Sequence, residues 1–130
     1  MLKSLKSFIK PVYAHCDLPC GVYDPAQARI EAQSILNIIK KYHDSDDEVF
    51  KTRAVRIKED RAELVKHHLW VLWTDYFKPE HLDKHPDLHD LFWRATKQAS
   101  QVKHTVEVAD AEKLLELIAE ITKVFKATKA

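Results

Sequence analysis

Glycine is almost absent from this chain, and its scarcity constrains the fold more than any other feature. Gly21 is the one glycine among 130 residues, and the chain also contains five prolines. Folds built from many short strands need tight turns, for which glycine supplies the positive φ angles. The sequence therefore favours helices. Gly21 itself is expected where the backbone turns sharply or approaches another group closely.

Four amphipathic segments follow this glycine. The first begins at Asp24 and Pro25, because aspartate caps helix N-termini and proline is favoured in the first helical turn. Pro79 ends the second, since the residue before a proline avoids the α conformation. The later segments cover residues from 86 onward and about 106–127. Short connections between such helices predict an all-α fold, an antiparallel up-and-down four-helix bundle over residues 24–130.

The inner face of each helix is predicted from residues at helical spacing. In the second helix, over about 48–75, Arg61 and His68 fall on the apolar stripe. An arginine there must be paired or lie at an interface, so we expect a salt bridge for Arg61 and a hydrogen-bonded core histidine at His68. The predicted inward residues are Ala28, Ile35, Ile38, Ile39 and Tyr42; Phe50, Ala54, Ile57, Leu64 and Val71; Leu88, Leu91, Phe92, Ala95 and Ala99; and Ala111, Leu114, Leu115, Ile118 and Phe125.

Both cysteines of the chain precede the glycine. Cys16 and Cys20 are four positions apart, with His15 next to the first. Thiolate and imidazole together suit zinc, copper or nickel. Three side chains are too few for a closed structural zinc site, which needs four ligands. The spacing alone leaves a metal site and a disulfide as open alternatives. Thiols that bind a metal must be reduced, which favours a cytoplasmic location.

The N-terminal residues 1–14 differ in composition from the rest. They carry Lys3, Lys6 and Lys10 and no acidic residue, and they end in the small residue Ala14. One interpretation is a leader removed by a processing protease. The other is a frayed N-terminus, because lysines interrupt the apolar core that a secretory signal requires.

Charge and hydropathy exclude two classes of partner. The net charge of +1 gives no electrostatic reason to expect nucleic-acid binding. No apolar run approaches the roughly 18–20 residues of a membrane span, so no membrane association is expected. His81, His85 and His89 have the spacing of zinc ligands on a helix, but Pro86 interrupts it and their neighbours are charged. We therefore expect a solvated turn there.

One family accounts for the residues around the cysteines. Residues 15–23 read His-Cys-Asp-Leu-Pro-Cys-Gly-Val-Tyr. This stretch resembles, position for position, the nickel hook of nickel-containing superoxide dismutase. The similarity continues from the hook (residues 15–23) through the segments 24–31, 52–54, 61–64, 66–68, 72–73 and 75–79.

The resemblance implies a nickel enzyme that converts superoxide to hydrogen peroxide and dioxygen through Ni(II) and Ni(III). It implies removal of residues 1–14, so that His15 becomes the first residue of a domain covering residues 15–130. The implied ligands of one nickel ion per subunit are the His15 amine and imidazole, the Cys16 amide nitrogen and the thiolates of Cys16 and Cys20. Members of the family assemble as homohexamers.

The resemblance also implies supporting roles. Glu31 matches the carboxylate that holds the metal-bound imidazole, and Arg61 matches the arginine that supports it. Asp17, Tyr23 and Tyr76 match residues that line the substrate pocket, and Lys78 matches a lysine near its entrance. Two rival interpretations remain: a nickel or copper carrier that binds metal without turnover, and a structural bundle with a disulfide at its tip.

Overall fold

Helices make up the regular structure of residues 21–129, which are the residues that the computed structural model describes. They are α1 (Ala26–Asp44), α2 (Glu48–Val71), a π-helical turn (Leu72–Tyr76), α3 (Pro79–Lys84), α4 (Leu88–His104) and α5 (Val108–Lys129). Both α1 and α4 pack against α2 and α5, so the long helices form a closed ring in chain order. This is the predicted up-and-down four-helix bundle. Within the described residues, no helix is both long and apolar enough to cross a membrane.

Aspartates begin the first two helices, and Asp24 does so at the start that the sequence predicts. The Asp24 carboxylate accepts the backbone N–H of Ala26 at 2.8 Å, immediately before α1. The Asp47 carboxylate accepts the N–H groups of Val49 and Phe50, at 2.9 and 3.3 Å. The first N–H groups of a helix have no partner within it, so these carboxylates fix where each helix starts.

The apolar faces of three helices form the core largely as predicted. In α4 every residue predicted to face inward is buried, and in α5 only Leu115 is partly exposed. In α1, Ile38 and Tyr42 are only half-buried, whereas Leu36, which was not among the predicted residues, is buried in the core. Helical spacing is therefore a sufficient guide for these elements.

The predicted inner face of α2 is largely wrong, because Ala54 is the one predicted residue that is buried. Phe50 and Ile57 are 37% and 39% exposed, and Leu64 is half-buried. The residues that α2 buries are Ala54, Lys58, Ala62, Val65 and Leu69. The other four predicted residues, at positions 50, 57, 64 and 71, repeat every seven positions, and a straight α-helix drifts by about 20° per heptad relative to that repeat. Ala54 and Ala62 therefore lie on the face that α2 buries, and the apolar residues Phe50 and Ile57 remain on its surface.

A buried lysine ties α2 to the end of α4. Lys58 is only 2% exposed, and its Nζ donates to the carbonyl oxygens of Lys103 at 3.0 Å and Thr105 at 2.5 Å. The last carbonyl groups of a helix lack helical partners and carry partial negative charge, so an ammonium group is stabilised there. Burial lowers the pKa of Lys58, and the charge of Glu59 partly opposes this shift.

The chain after α2 differs from the predicted uninterrupted helix. Leu72–Tyr76 forms a π-helical turn, in which the N–H of Phe77 donates to the carbonyl oxygen of Leu72 at 3.0 Å. The short helix α3 begins at Pro79 and was not predicted. Its start is capped by His81, whose Nδ1 accepts the backbone N–H of Lys78 at 3.0 Å.

Candidate metal centre

The described residues begin at the C-terminal end of the hook. His15, Cys16, Asp17 and Cys20 lie outside them. Gly21 has a φ angle of +67°, and among residues 21–129 a side chain added there would meet no atom within 4 Å. The positive φ confirms the turn expected at this glycine, because residues with a side chain rarely adopt that conformation. The chain therefore bends sharply immediately after Cys20.

Tyr23, the last residue of the hook, lies between two helices. Its side chain is half-buried where the start of α1 meets the end of α2. A cavity of about 80 Å³ adjoins it, lined by residues that include Gln27, His67 and His68. The rings of His67 and His68 meet edge to face at 5.5 Å. The helical spacing predicts a core position for His68, whereas it is half-buried and lines this cavity.

The structure brings together two residues that the resemblance assigns to the substrate pocket. The ring centroids of Tyr23 and Tyr76 are 5.6 Å apart. Tyr76 belongs to the π-helical turn, and its ring also packs against Phe125 of α5 at 4.6 Å. The Tyr76 hydroxyl lies 2.6 Å from the hydroxyl of Thr128. Residues from the hook, the end of α2 and the end of α5 therefore converge at one end of the bundle.

Lys78 lies next to this tyrosine pair along the chain. It is half-buried, two residues after Tyr76, and it immediately precedes α3. The extended backbone at Phe77 and Lys78 separates the π-helical turn from α3. The hydrogen bond from the Lys78 backbone to His81 fixes the backbone from which the lysine side chain projects.

Glu31 and Arg61 form the ion pair expected from the inner position of Arg61. Arg61 Nη1 lies 3.0 Å from Oε2 and 3.3 Å from Oε1 of Glu31. The side chains are 39% exposed for Arg61 and 17% exposed for Glu31. The pair joins α1 to α2. Glu31 lies six residues after Pro25, which places it about 9 Å along α1 from the start of that helix.

The histidines considered as an alternative metal site are spread over several elements. His81 lies on α3, His85 follows it, and His89 lies on α4 with its side chain exposed. Burial lowers the pKa of His81, and the charge of Lys78 acts in the same direction. Within residues 21–129, no three side chains of histidine, cysteine, aspartate or glutamate are grouped as metal ligands.

Comparison with known proteins decides the family. The sequence profile described as nickel-containing superoxide dismutase matches residues 10–129. The chain belongs to this family. The nickel superoxide dismutase of Streptomyces coelicolor is 55% identical over 118 residues, covering 91% of this chain and 90% of that protein. The corresponding enzyme of Streptomyces seoulensis is 56% identical over the same length and coverage.

Solved structures of nickel superoxide dismutase have the same fold. The native enzyme solved at 1.30 Å superposes with a TM-score of 0.87 at 55% identity, covering 88% of this chain and 98% of that one. A structure with nickel ligation in the oxidized state gives a TM-score of 0.86 at 56% identity, with the same coverage. The resemblance seen in the hook is confirmed, together with the family's nickel cofactor and its action on superoxide.

Thr128 is a residue of this site that the sequence did not predict. It lies beyond the motifs quoted for the family resemblance, which end at residue 79. A signal was nevertheless present, because Thr128 is three residues after Phe125, which was predicted to face inward. Residues three apart share a helix face, so a hydroxyl there points toward the bundle.

Proposed function

We propose that this chain, in the form that begins at His15, disproportionates superoxide with nickel bound in the hook. Two superoxide ions and two protons give one hydrogen peroxide and one dioxygen. The observation that carries the proposal is the convergence of Tyr23 and Tyr76, 5.6 Å apart, beside the turn at Gly21 where the hook joins the bundle.

His15, Cys16 and Cys20 are the proposed nickel-binding residues. Two thiolates with imidazole and amine nitrogen are a donor set that suits a soft or borderline metal, and nickel fits it. The bound nickel supplies a one-electron couple between Ni(II) and Ni(III), which the anionic sulfur donors make accessible. Gly21, with φ of +67°, provides a sharp turn immediately after the second proposed cysteine ligand.

Glu31 and Arg61 are proposed to orient the imidazole of His15. A metal-bound imidazole usually donates its other N–H to an acceptor that fixes the ring. The Glu31 carboxylate is largely buried, and the two contacts from Arg61 Nη1 restrict its rotation. It retains lone pairs that can accept the imidazole N–H.

Four further residues are proposed to act on the substrate. Tyr23, Tyr76 and Asp17 line the pocket, where the tyrosine hydroxyls hold water or peroxide through hydrogen bonds. Lys78 supplies positive charge near the entrance and attracts the superoxide anion. Its position two residues after Tyr76 supports this role.

The proposed leader explains how the amine ligand arises. Proteolysis before His15 creates a free α-amine with a pKa near 8, which is a better metal donor than an amide nitrogen. A processing protease is therefore a proposed partner. Reduced thiols favour the cytoplasm as the location.

A homohexamer is the proposed assembly. The surface of α2 retains Val49, Phe50 and Ile57, which are 71%, 37% and 39% exposed. Apolar residues repeating along one helix face are typical of an interface, and a second copy of the chain would cover them.

Metal analysis combined with a superoxide assay separates the alternatives. Protein beginning at His15 should bind one nickel per chain and consume superoxide. A metal carrier would bind nickel without turnover. A structural bundle with a disulfide would bind no nickel and would contain no free thiol. Either of these last two results would contradict the proposal.

A further inference from the structure

Thr128, in the last turn of α5, makes two short hydrogen bonds. Its Oγ1 lies 2.6 Å from the hydroxyl oxygen of Tyr76 and 2.6 Å from the carbonyl oxygen of Phe125. A threonine hydroxyl has one proton to donate, and a carbonyl oxygen can only accept. The Thr128 proton therefore goes to Phe125, and Tyr76 must be the donor in the bond between the two hydroxyls.

This proton arrangement determines what Tyr76 presents to the pocket. Because the Tyr76 O–H donates toward α5, the lone pairs of its oxygen remain able to accept a hydrogen bond. The ring is fixed by the same helix turn, with Phe125 at 4.6 Å and the Lys129 ammonium 5.0 Å from the ring centroid. The end of α5 therefore sets both the position of the ring and the direction of the hydroxyl.

The π-helical turn makes this contact possible. One extra residue in a turn rotates the following side chains by roughly 100° around the helix axis. Tyr76 is the last residue of that turn, so its direction depends on it. Turns of this kind occur frequently at functional sites.

We propose that Thr128 is a positioning residue for Tyr76, and that it makes Tyr76 a hydrogen-bond acceptor toward the superoxide pocket. This inference rests on the proposed function, because it takes Tyr76 as a residue of that pocket. A protonated species in the pocket, such as water or nascent hydrogen peroxide, would donate to the Tyr76 oxygen. Thr128 itself does not touch the substrate.

The experiment compares Thr128→Val, which keeps the shape of the side chain and removes the hydroxyl, with Thr128→Ser, which restores the hydroxyl. Thr122→Val is the matched control, because Thr122 donates to the Ile118 carbonyl on the same helix at 2.8 Å. All variants are made in the nickel-loaded protein beginning at His15. Turnover of superoxide is measured together with the ultraviolet resonance Raman doublet of tyrosine, which reports whether a phenol donates or accepts. Subtracting the spectrum of Tyr76→Phe isolates this ring.

Thr128→Val is expected to lose the donor signature of Tyr76 and to lower turnover about three- to tenfold, the effect of one neutral hydrogen bond. Thr128→Ser should restore both properties, and Thr122→Val should change neither. The inference is overturned if Tyr76 keeps its donor signature in Thr128→Val, if the control loses as much turnover, or if serine does not rescue. An inactive parent protein would contradict the proposed function, while the Raman comparison would still decide the hydrogen bond.

Discussion

Arg61 holds both carboxylate oxygens of Glu31 through one nitrogen, at 3.0 and 3.3 Å, and so links α2 to α1. The glutamate is the more buried partner, with 17% of its side chain exposed. Loss of the arginine would leave a largely buried carboxylate without this partner, which costs more than the pair itself contributes.

Replacing this arginine tests the ion pair. Arg61→Met should lower the free energy of unfolding by about 1–2 kcal/mol, because the Glu31 carboxylate keeps its desolvation and loses its charge partner. The measurement is urea denaturation at neutral pH. The exposed pair of Arg94 and Asp90 on α4, 2.7 Å apart, provides the control. Arg94→Met should cost no more than about 0.5 kcal/mol. Equal losses in the two variants would contradict this account.

A second test concerns the buried ammonium of Lys58. Lys58→Met should destabilise the protein by about 1–3 kcal/mol, since the carbonyl oxygens of Lys103 and Thr105 lose their donor. Because burial lowers the pKa of Lys58, the unfolded chain binds more protons than the folded one between the lowered value and the ordinary one. The stability of the parent relative to Lys58→Met should therefore rise as pH increases toward roughly 10.

This stability difference is measured by denaturation at several pH values. The exposed Lys40→Met is the control for loss of a lysine charge. A difference between parent and Lys58→Met that falls with increasing pH would show that the ammonium is stabilised by folding, contrary to the account.

The cap of α3 should be sensitive to acid. His81 Nδ1 accepts the Lys78 N–H, which requires a neutral ring, and burial lowers the pKa of His81. A lowered folded-state pKa means that this stability is present above the ordinary value of about 6.5 and is lost as pH falls below it. His81→Gln keeps an acceptor at the same helix position without titrating. Denaturation between roughly pH 7 and 5 should weaken the parent more than this variant. Equal weakening would exclude His81 as the cause.

The thiolate ligands are tested separately. Cys16→Ser and Cys20→Ser should each abolish superoxide turnover, because a serine hydroxyl stays protonated near neutral pH and is a poor ligand for a soft metal. The far-ultraviolet circular dichroism should remain that of the helical bundle, whose described core lies within residues 28–125. Nickel content and circular dichroism are measured on the same samples. Full turnover in either variant would exclude that cysteine as an essential ligand.

The parts of the fold that the sequence predicts correctly depend on local chemistry. Aspartate followed by proline before an apolar stripe is a local signal for a helix start, and Asp24 and Pro25 provide it for α1. In α4 the apolar residues lie on one face, and the helical spacing is enough to predict that this face is buried. Gly21 predicts a positive φ because few other residues adopt it. The hook motif, with its two cysteines, histidine and glycine at fixed spacing, is specific enough to identify the family by itself.

The parts that the sequence predicts wrongly depend on tertiary packing. Phe50 and Ile57 are as apolar as core residues, and they lie outside because α2 buries a different face, which includes its alanines. The π-helical turn at Leu72–Tyr76 contains no proline or glycine, so the sequence carries no signal that predicts it. That turn directs Tyr76 toward Thr128, so the contact between them has no local signal beyond the helix face of Thr128.

The amine created at His15 is the central claim, and two preparations of the same chain test it most directly. One begins at Met1 and the other at His15, and both are loaded with equal nickel before superoxide consumption is measured. The account predicts that the His15 form turns over superoxide and that the Met1 form is inactive, since an amide replaces the amine ligand. Equal activity in the two forms would contradict it.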